Sequence, residues 1–436
     1  MPETAVADAV MEVFHIEGGH PLNGRVRAAG NKNGALPILA ACLLTEEPVT
    51  LTNVPRIDDV KTMLGLLAGL GAEVEWVGQN AVRVCAADAE PVPPVVDLCG
   101  RIRASFLLAG PLLARFGSAS MPPPGGDIIG RRRLDPHIHA LRSLGAAIEY
   151  DRGWEMQTSG LRGANVFLDE ASVMGTENAV MAAVLADGET MIGNAACEPH
   201  VQDLCRFLVA RGARIDGIGS NRLRIRGVQG LSGGEWEVGP EHVEVGSFIG
   251  LAAVTGGDVT IEDIEGEDLV PIVPHFERLG IHVELSDTSV HVPAGQRLEI
   301  RDDLGGQIPK IEDGVWPAFP ADLTSIAVVV ATQAKGTILV FEKMFESRLF
   351  FVDKLVSMGA RIVLCDPHRV VISGPAQLYG ERLTSPDIRA GMAMVIAALC
   401  AEGVSRIGNV GEIDRGYEKI DERLRGLGAR IDRVDG

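Results

Sequence analysis

The sequence predicts an α/β fold built from six copies of one unit, with helices inside and sheets outside. Two observations lead to this prediction. A helix-like stretch that ends at a glycine and continues as an alternating strand occurs six times. An alanine-rich apolar helix and a short strand precede each of these copies. Because six units divide naturally into two sets of three, we expect two domains, each packing its own helices together.

The glycine-terminated stretches recur at intervals of 67 to 79 residues. Their central glycines are Gly71, Gly145, Gly212, Gly280, Gly359 and Gly428. A glycine just beyond an apolar-periodic helix is a stop signal, because glycine adopts the left-handed backbone conformation without steric cost. The residues after each glycine alternate between apolar and polar, which predicts a strand.

The alanine-rich segments predict buried helices. Segments such as ENAVMAAVLA, GSFIGLAAVT and RAGMAMVIAALC are apolar nearly all round, and a helix of that kind belongs in an interior. Additional strands are predicted at AVRVCA, RLRIRG, SVHVPA and RVVISG. An ordinary α/β fold with recurrent glycine stops is the alternative, but it does not explain why both landmarks recur in the same order.

Composition indicates a folded soluble chain. Of the 436 residues, 46% are hydrophobic and 23% are charged, which is typical of globular proteins. No apolar run approaches the roughly 18 residues that cross a bilayer, and the N-terminus lacks the basic segment of a secretory signal. We expect residues 1–12 to form a flexible tail. The seven scattered cysteines contain no CxxC, so neither a disulfide framework nor a zinc ribbon is indicated, and a reducing cytoplasm fits.

The charge distribution bears on possible partners. The net charge of −19 disfavours binding to nucleic acid or to an anionic membrane unless a local basic site overrides it. Only seven of the 40 basic residues are lysines, and just Lys32 and Lys61 precede residue 310. The excess of arginine suits bidentate capture of carboxylate and phosphate, although genomic bias explains it equally well.

Unusual polar residues stand at the starts of the buried helices and in the loops after the following strands. Helix N-termini attract anions, and both sets should face one edge of their domain. Two such edges could close on each other around an anionic substrate. Each candidate also has a structural alternative: a solvated lysine or arginine, a turn aspartate, or a helix N-cap. The candidates are Lys32, Arg103, Asp127 and Arg132 in the Pro-Gly loop 120–133, Asp322, Arg348, Asp387, Arg389 and Arg415.

Several common site classes find no support in the sequence. There is no GxxxxGK[ST], no usable GxGxxG and no GxSxG, and aromatic residues amount to only 4%. His137 and His139 form a lone HxH, for which packing is favoured over metal binding. We therefore expect neither a metal nor a cofactor.

Seven motifs together carry a family resemblance. They are GNKNGALPIL, RIRASFLLAGPLLARFG, PGGDIIGRRRLD, PAFPADL, FESRLF, PDIRAG and EIDRGYEKI. Over about residues 13–434 the chain resembles the UDP-N-acetylglucosamine 1-carboxyvinyltransferase family of enolpyruvyl transferases. The resemblance implies an inside-out α/β barrel of two domains, each with three βαβαββ-like units. Domain I would comprise residues 13–32 and 241–436, and domain II residues 33–240 with a mobile lid at 120–133.

The resemblance also implies an activity. The family transfers the enolpyruvyl group of phosphoenolpyruvate to the 3′-hydroxyl of UDP-N-acetylglucosamine and releases phosphate, by addition and elimination through a tetrahedral ketal. This is the first committed step of peptidoglycan synthesis and takes place in the cytoplasm without a cofactor. Two alternatives remain: the same chemistry on another acceptor, such as a uridine nucleotide, or a catalytically silent, regulatory paralogue that binds UDP-sugars. The oligomeric state is left open, a monomer included.

Roles for individual residues follow from the matching motifs. The resemblance implies catalysis by Asp127, Asp322, Lys32 and Arg415, with Asp127 as proton donor where many members have cysteine. Phosphoenolpyruvate would contact Lys32, Asn33, Arg103, Arg132, Arg348, Asp387, Arg389 and Arg415. The UDP-sugar would contact Asn33, Arg103, Arg132, Leu134, Asp135, Ser172, Val173, Asp322 and Met344. Glu170 and His200 depart from the family pattern near the acceptor site.

Overall fold

A computed structural model describes residues 12–126 and 129–436, and the chain divides into two compact units. Unit 1 contains the described residues up to 28 together with 243–314 and 319–436. Unit 2 contains residues 29–242, apart from the two that are not described, and 315–318. Lys32 therefore lies in unit 2, whereas the predicted boundary placed it in domain I. The difference has a simple physical basis, since Lys32 is the first residue of a helix buried in unit 2.

The described residues contain 23 β-strands, several of them at the predicted positions. In chain order they are β1 (Glu12–Glu17), β2 (Asn23–Arg27), β3 (Val49–Thr52), β4 (Glu73–Gly78), β5 (Ala81–Cys85), β6 (Ser118–Met121), β7 (Ala147–Tyr150), β8 (Trp154–Gln157), β9 (Asn165–Phe167), β10 (Glu189–Gly193), β11 (Arg214–Asp216), β12 (Arg222–Arg226), β13 (Gly234–Glu237), β14 (Asp258–Glu262), β15 (Glu284–Leu285), β16 (Ser289–Val292), β17 (Lys310–Glu312), β18 (Gly336–Phe341), β19 (Ile362–Asp366), β20 (Arg369–Gly374), β21 (Arg382–Thr384), β22 (Val404–Gly408) and β23 (Arg430–Asp435). All four additional strands expected from the sequence are present, as β5, β12, β16 and β20.

The same part of the chain contains 15 α-helices and three short 3-10 helices. The α-helices are α1 (Lys32–Ala41), α2 (Asp58–Gly69), α3 (Val96–Cys99), α4 (Ala109–Phe116), α5 (Asp135–Ser143), α6 (Val173–Ala183), α7 (Pro199–Ala210), α8 (His242–Thr255), α9 (Gly266–Leu269), α10 (Val273–Arg278), α11 (Thr324–Gln333), α12 (Val352–Ser357), α13 (Ile388–Cys400), α14 (Gly411–Asp414) and α15 (Ile420–Gly426). The 3-10 helices are Cys42–Leu44, Arg103–Leu108 and Ala321–Leu323.

The strands form six separate sheets, three in each unit. Unit 1 holds the orders β21-β22-β1-β23, β15-β16-β14-β2 and β17-β18-β20-β19; unit 2 holds β11-β12-β10-β9, β13-β3-β5-β4 and β6-β8-β7. Each four-stranded sheet combines one parallel pair with antiparallel neighbours. The prediction of six units in two sets of three is confirmed. Because the described strands form separate sheets, the barrel expected from the family is not a single closed sheet.

All six helices with a predicted glycine stop end in the same way. The six glycines have backbone φ angles between 85° and 108°. After α2, for example, the N–H of Gly71 donates to the carbonyl of Ala68, and the N–H of Ala72 donates to that of Leu67. This pair of hydrogen bonds defines a Schellman motif, which requires a left-handed residue just beyond the helix. The other five copies repeat both bonds, so the repeat seen in the sequence is a repeat of backbone geometry.

The alanine-rich helices lie in the two cores, as predicted. In α13 every residue from Ile388 to Leu399 is buried, and α11 is buried from Thr324 to Thr332. A Cβ atom at Gly250 of α8 would come within 2.7 Å of Ile326 in α11, so these helices approach closely at a residue without a side chain. Each fully buried Val, Leu or Ile contributes about 1.5–3 kcal/mol, which makes this central packing the main source of stability.

The first described strand, β1, lies between β22 and β23 in the sheet β21-β22-β1-β23. β1 pairs antiparallel with both β22 and β23, and Glu12 lies opposite Asp435. This confirms the expectation that the chain's first strand belongs with the C-terminal domain. β1 begins at Glu12, and residues 1–11 lie outside the described part of the chain.

The remaining sequence expectations on organisation concern the lid and the membrane. Residues 122–126 and 129–134 form neither helix nor strand, while Asp127 and Ile128 lie outside the described residues. Within residues 12–126 and 129–436, none of the helices is long and apolar enough to cross a membrane.

Candidate active site

Lys32 stands at the start of the first buried helix of unit 2, as predicted. Asn31 is the N-cap of α1, and its side chain accepts a hydrogen bond from the N–H of Gly34 at 3.1 Å. The Nζ atom of Lys32 donates to the Oδ2 atom of Asp59 in α2, also at 3.1 Å. The two side chains are only 12% and 7% exposed. The ammonium group is thus fixed by a largely buried counterion and is not a freely solvated loop charge.

Replacing Asp59 by asparagine should lower the free energy of unfolding by about 3 kcal/mol, since it leaves a buried ammonium group without its counterion. Urea denaturation measures this loss. Asp58 is the matched control, because it bonds Lys61 at the surface and both side chains are more than half exposed. Asp58→Asn should cost less than about 1 kcal/mol. Equal losses in the two variants would contradict a special role for the Lys32–Asp59 pair.

Arg103 and the arginine run of the Pro-Gly loop meet in unit 2. The guanidinium of Arg103 donates to the main-chain carbonyl of Arg132 and, at 3.3 Å, to that of Arg133. Burial lowers the pKa of Arg103 to about 10, the charge of Arg132 acts in the same direction, and Glu170 opposes both. Two of the predicted anion-binding cations therefore lie near each other, and an anion between them would relieve their repulsion.

The neighbouring predicted residues are held by local contacts. Arg133 forms ion pairs with Asp135 at 3.3 Å and Asp169 at 3.1 Å, so the third arginine of the run already has carboxylate partners. Leu134 precedes α5, and Asp135 is the first residue of that helix. At the start of α6, the Oγ atom of Ser172 accepts from the N–H of Gly175 at 3.2 Å, and Val173 follows as the first helical residue.

His137 has a packing role. Its ring is 2% exposed and makes an edge-on contact with Phe106, with 5.2 Å between ring centroids. Its Nδ1 atom lies 2.9 Å from Nδ2 of Asn178. Burial lowers the pKa of His137 to about 3, so the ring is neutral at physiological pH. The packing interpretation therefore holds for His137, whereas His139 is exposed and does not belong to the core.

Asp322 is the centre of the predicted group in unit 1. Its Oδ1 atom accepts from Nη2 of Arg348 at 2.8 Å, and its Oδ2 atom accepts from Nε of Arg389 at 3.0 Å. Both arginine side chains are 5% exposed, and Asp322 is 28% exposed. The guanidinium of Arg389 also lies 5.4 Å from the ring centre of the buried Tyr417. Two buried cations therefore orient one accessible carboxylate.

The structure separates the two aspartates that looked alike in the sequence. Leu323 is the N-cap of α11 and makes no side-chain capping bond, so the N-cap alternative for Asp322 is wrong. The same alternative is correct for Asp387, whose Oδ1 atom accepts from the N–H groups of Arg389 and Ala390 at 2.8 and 2.9 Å. Asp387 thereby fixes the helix start that carries Arg389.

The last two predicted residues of unit 1 lie in loops, Arg415 between α14 and α15 and Met344 between β18 and α12. Arg415 ends α14, and its Nη1 atom donates to Oε2 of Glu412 at 2.6 Å. Met344 lies after β18 with 40% of its surface exposed, and its N–H donates to the carboxyl groups of Asp313 and Glu342. Unit 1 thus contains three of the predicted arginines, and two of them, Arg348 and Arg389, bond the carboxylate of Asp322.

Sequence reasoning missed the acidic residues that hold the predicted cations. Asp59 and Glu412 pair with Lys32 and Arg415, and the buried acids Asp313 and Glu342 hold the loop before Arg348. Only Glu412 left a local signal, since it lies three residues before its partner in a helix. Asp59 and Asp313 lie far in sequence from the groups they position, whereas Glu342 directly precedes the loop it holds.

Sequence comparison places these residues in a known family. Residues 16–424 match the family model described as EPSP synthase (3-phosphoshikimate 1-carboxyvinyltransferase). A curated protein of Bradyrhizobium diazoefficiens named UDP-N-acetylglucosamine 1-carboxyvinyltransferase is 57% identical over 421 residues, which cover 97% of this chain and 98% of that protein. The chain belongs to the UDP-N-acetylglucosamine 1-carboxyvinyltransferase family. A protein of the same name from Treponema denticola is 55% identical over 97% of this chain and 99% of its own length.

Solved structures support the fold of this family member. The enolpyruvyl transferase NikO of Streptomyces tendae superposes with a TM-score of 0.87 over 98% of this chain and 99% of its own, at 22% sequence identity. An EPSP synthase of Acinetobacter baumannii gives a TM-score of 0.75 over 97% of this chain and 100% of its own, at 18% identity. At these identities the likeness concerns the fold, and it confirms the inside-out α/β architecture in two domains.

Proposed function

We propose that this chain transfers the enolpyruvyl group of phosphoenolpyruvate to the 3′-hydroxyl of UDP-N-acetylglucosamine with release of phosphate, in the cytoplasm, as part of peptidoglycan synthesis. The observation that carries the proposal is the 57% identity, over nearly the whole length of both chains, with a relative named for this transfer. The charged groups of the two units support it, because each has a chemical task in this reaction.

The cations of unit 2 are suited to hold phosphoenolpyruvate. This substrate carries close to three negative charges in its phosphate and carboxylate, and the chain as a whole carries −19. Binding therefore requires several convergent cations. Lys32 offers a point charge at a helix start, and Arg103 and Arg132 offer planar donors for an anion. The family resemblance assigns Arg348, Arg389 and Arg415 to phosphoenolpyruvate as well.

Asp322 is the proposed base for the acceptor hydroxyl. The guanidinium groups of Arg348 and Arg389 favour its charged form, which is the form that accepts a proton. A guanidinium has five N–H donors, so its bond to Asp322 still permits bonds to substrate. In the described part of the chain, the buried Nε atom of Arg348 has no acceptor. We propose that Asp387, fixed as a helix cap, assists near the reacting carbons.

The reaction then proceeds by addition and elimination. Asp322 takes the proton of the 3′-hydroxyl while the hydroxyl oxygen bonds to C2 of phosphoenolpyruvate. The carboxylic acid of Asp127 delivers a proton to C3. The product of this addition is a tetrahedral ketal with a new methyl group. In the elimination, the carboxylate left at Asp127 takes a proton back from that methyl group as the bond between C2 and the phosphate oxygen breaks. The double bond is regenerated, and the released phosphate takes up the proton that Asp322 had accepted. Fixed cations stabilise the charge that develops at C2 and its substituents.

The UDP-sugar is proposed to bind beside these groups. The contacts implied by the family resemblance are Asn33, Leu134, Asp135, Ser172, Val173 and Met344. Helix N-termini provide main-chain N–H groups for the diphosphate, and α6 begins at Val173 directly after the Ser172 cap. Glu170 and His200 depart from the family pattern and make the acceptor the part of the proposal that most needs a direct test.

A phosphate-release assay tests the function. The purified chain should release phosphate only when phosphoenolpyruvate and UDP-N-acetylglucosamine are both present, with the enolpyruvyl product detected by mass spectrometry. Omission of either substrate is the control. No release from a folded protein that still binds UDP-N-acetylglucosamine would refute the transfer and favour the silent paralogue. Release only with another uridine nucleotide would refute the proposed acceptor.

The aspartate at position 127 predicts resistance to fosfomycin, an epoxide that alkylates the cysteine found there in many family members. The chain should keep its activity at concentrations well above low micromolar, because position 127 offers no thiol for the epoxide to alkylate. Three buried thiols offer poor targets, since burial raises the pKa of Cys42 and Cys205 to about 12 and that of Cys99 to about 11.

The matched variant for this prediction is Asp127→Cys, which should become sensitive and gain the mass of the inhibitor. Phosphate release after preincubation measures both chains. Loss of activity of the unchanged chain at low micromolar fosfomycin would contradict the prediction, as would continued resistance of an active Asp127→Cys variant.

A further inference from the structure

Two buried acids occupy neighbouring positions in unit 1. Asp313 directly follows β17 and Glu342 directly follows β18, and these strands are parallel neighbours with Glu312 opposite Phe341. The side chains of Asp313 and Glu342 are therefore brought together where the strands end. Asp313 is 1% exposed and Glu342 is fully buried. We refer to these two residues as the acid pair.

The acid pair holds the main chain of the loop that leads to Arg348. Asp313 accepts from the N–H of Lys343 through Oδ1 and from that of Met344 at 3.2 Å through Oδ2. The Oε1 atom of Glu342 accepts from the N–H groups of Met344 and Phe345 at 3.2 and 3.1 Å. Three consecutive N–H groups thus bond to two carboxyl groups, which makes this loop unusually well fixed for an irregular segment.

Glu342 holds a proton at neutral pH. Burial raises the pKa of Glu342 to about 9, the hydrogen bond and the charge of Asp313 add to this, and Arg348 and Thr324 act in the opposite direction. A protonated Glu342 can donate a hydrogen bond to Asp313, whereas two charged carboxylates in these neighbouring positions would repel each other.

The surroundings of Glu342 contain few other groups that titrate. Nδ1 of His368 lies 2.7 Å from the main-chain carbonyl of Glu342, not from its carboxyl group. Lys343 forms an ion pair with Glu312 at 3.7 Å on the outer side of the loop. Arg348 is a cation whose charge lowers the pKa of Glu342, and the same residue forms an ion pair with Asp322.

We propose that the acid pair positions groups for the transfer reaction. It holds loop 343–348 in its observed conformation, so that Arg348 remains bonded to Asp322. The inference rests on the proposed function, because Asp322 and Arg348 are the groups it positions. Neither acid touches the substrate. Their contribution is geometric, and a misplacement of about 1 Å at a reacting group can cost 100-fold in rate.

The test compares three chains, wild type, Glu342→Gln and Glu342→Ala, with Glu299→Gln as control. Glutamine keeps the shape and the donor of protonated Glu342 but cannot ionise. Glu299 is exposed and bonds Lys335 at the surface. Wild-type kcat should fall as pH rises through about 9, where Glu342 ionises. This decrease should be absent in Glu342→Gln and present in the control. Glu342→Ala should lose on the order of 10- to 100-fold in kcat at pH 7.

A second measurement separates this inference from the proposed function. Hydrogen exchange at the N–H groups of Lys343, Met344 and Phe345 should speed up more than tenfold in Glu342→Ala and stay near wild type in Glu342→Gln. This readout does not depend on turnover, so it stands even if the wild-type chain proves inactive with these substrates. The inference fails if the decrease of kcat at high pH is the same in wild type and Glu342→Gln. It also fails if the three N–H groups exchange equally in all chains.

Discussion

Replacing Asp322 by asparagine should lower kcat by about 10²- to 10⁴-fold, the range that a general base contributes. The asparagine amide keeps the shape of the carboxyl group but cannot take the proton of the 3′-hydroxyl. Its NH₂ group would also point at one of the two buried guanidinium groups that now bond the carboxylate. Steady-state phosphate release measures kcat, and calorimetric titration with UDP-N-acetylglucosamine should show that acceptor binding survives.

The control for this variant is Asp353→Asn, which changes an exposed carboxylate on α12 of the same unit. It should leave kcat near the wild-type value. If Asp322→Asn retained wild-type turnover, Asp322 would not be the base, and the two arginines would have to be explained as a purely structural ion-pair group.

Replacing Asp127 alone by asparagine should also reduce kcat by about 10²- to 10⁴-fold, because the amide cannot deliver a proton to C3. Residue 127 lies outside the described part of the chain, so this expectation comes from its place in the PGGDIIGRRRLD motif. Rapid-quench analysis should show no tetrahedral ketal, since its formation needs this proton. Binding of UDP-N-acetylglucosamine should be largely unchanged.

Asp151→Asn is the matched control for position 127, as Asp151 is an exposed turn residue of unit 2. Unchanged turnover in Asp127→Asn would remove this residue from the mechanism. It would also remove the basis for the fosfomycin prediction, so the two experiments check each other.

The fold was largely predictable because residues that are close together in the sequence determine the structure of each repeated unit. A glycine beyond an apolar helix has one dominant structural use, and all six glycines have the expected left-handed backbone. The continuously apolar helices were equally informative, since only an interior can accommodate them. The pairing of β1 with β22 and β23 is not encoded locally in this way, and it was expected from the family resemblance alone.

The site was less predictable because its decisive contacts are not local. Asp322 and Asp387 both stand just before a buried helix, and no feature of either segment shows which of them caps it. The difference arises from Arg348 and Arg389, which lie 26 and 67 residues beyond Asp322 in the sequence. Lys32 was found from the scarcity of lysine, but its partner Asp59 lies 27 residues away on another helix.

The placement of β1 has a consequence for biosynthesis. β1 is synthesised before its neighbours β22 and β23, which begin at Val404 and Arg430, so it cannot pair until the residues between them have been made. Residues 29–242 of unit 2 can meanwhile fold as a nascent domain, apart from the four residues 315–318 that join later. Because the two terminal strands are antiparallel neighbours, a circular permutant that links them and opens a surface turn elsewhere would keep every sheet intact.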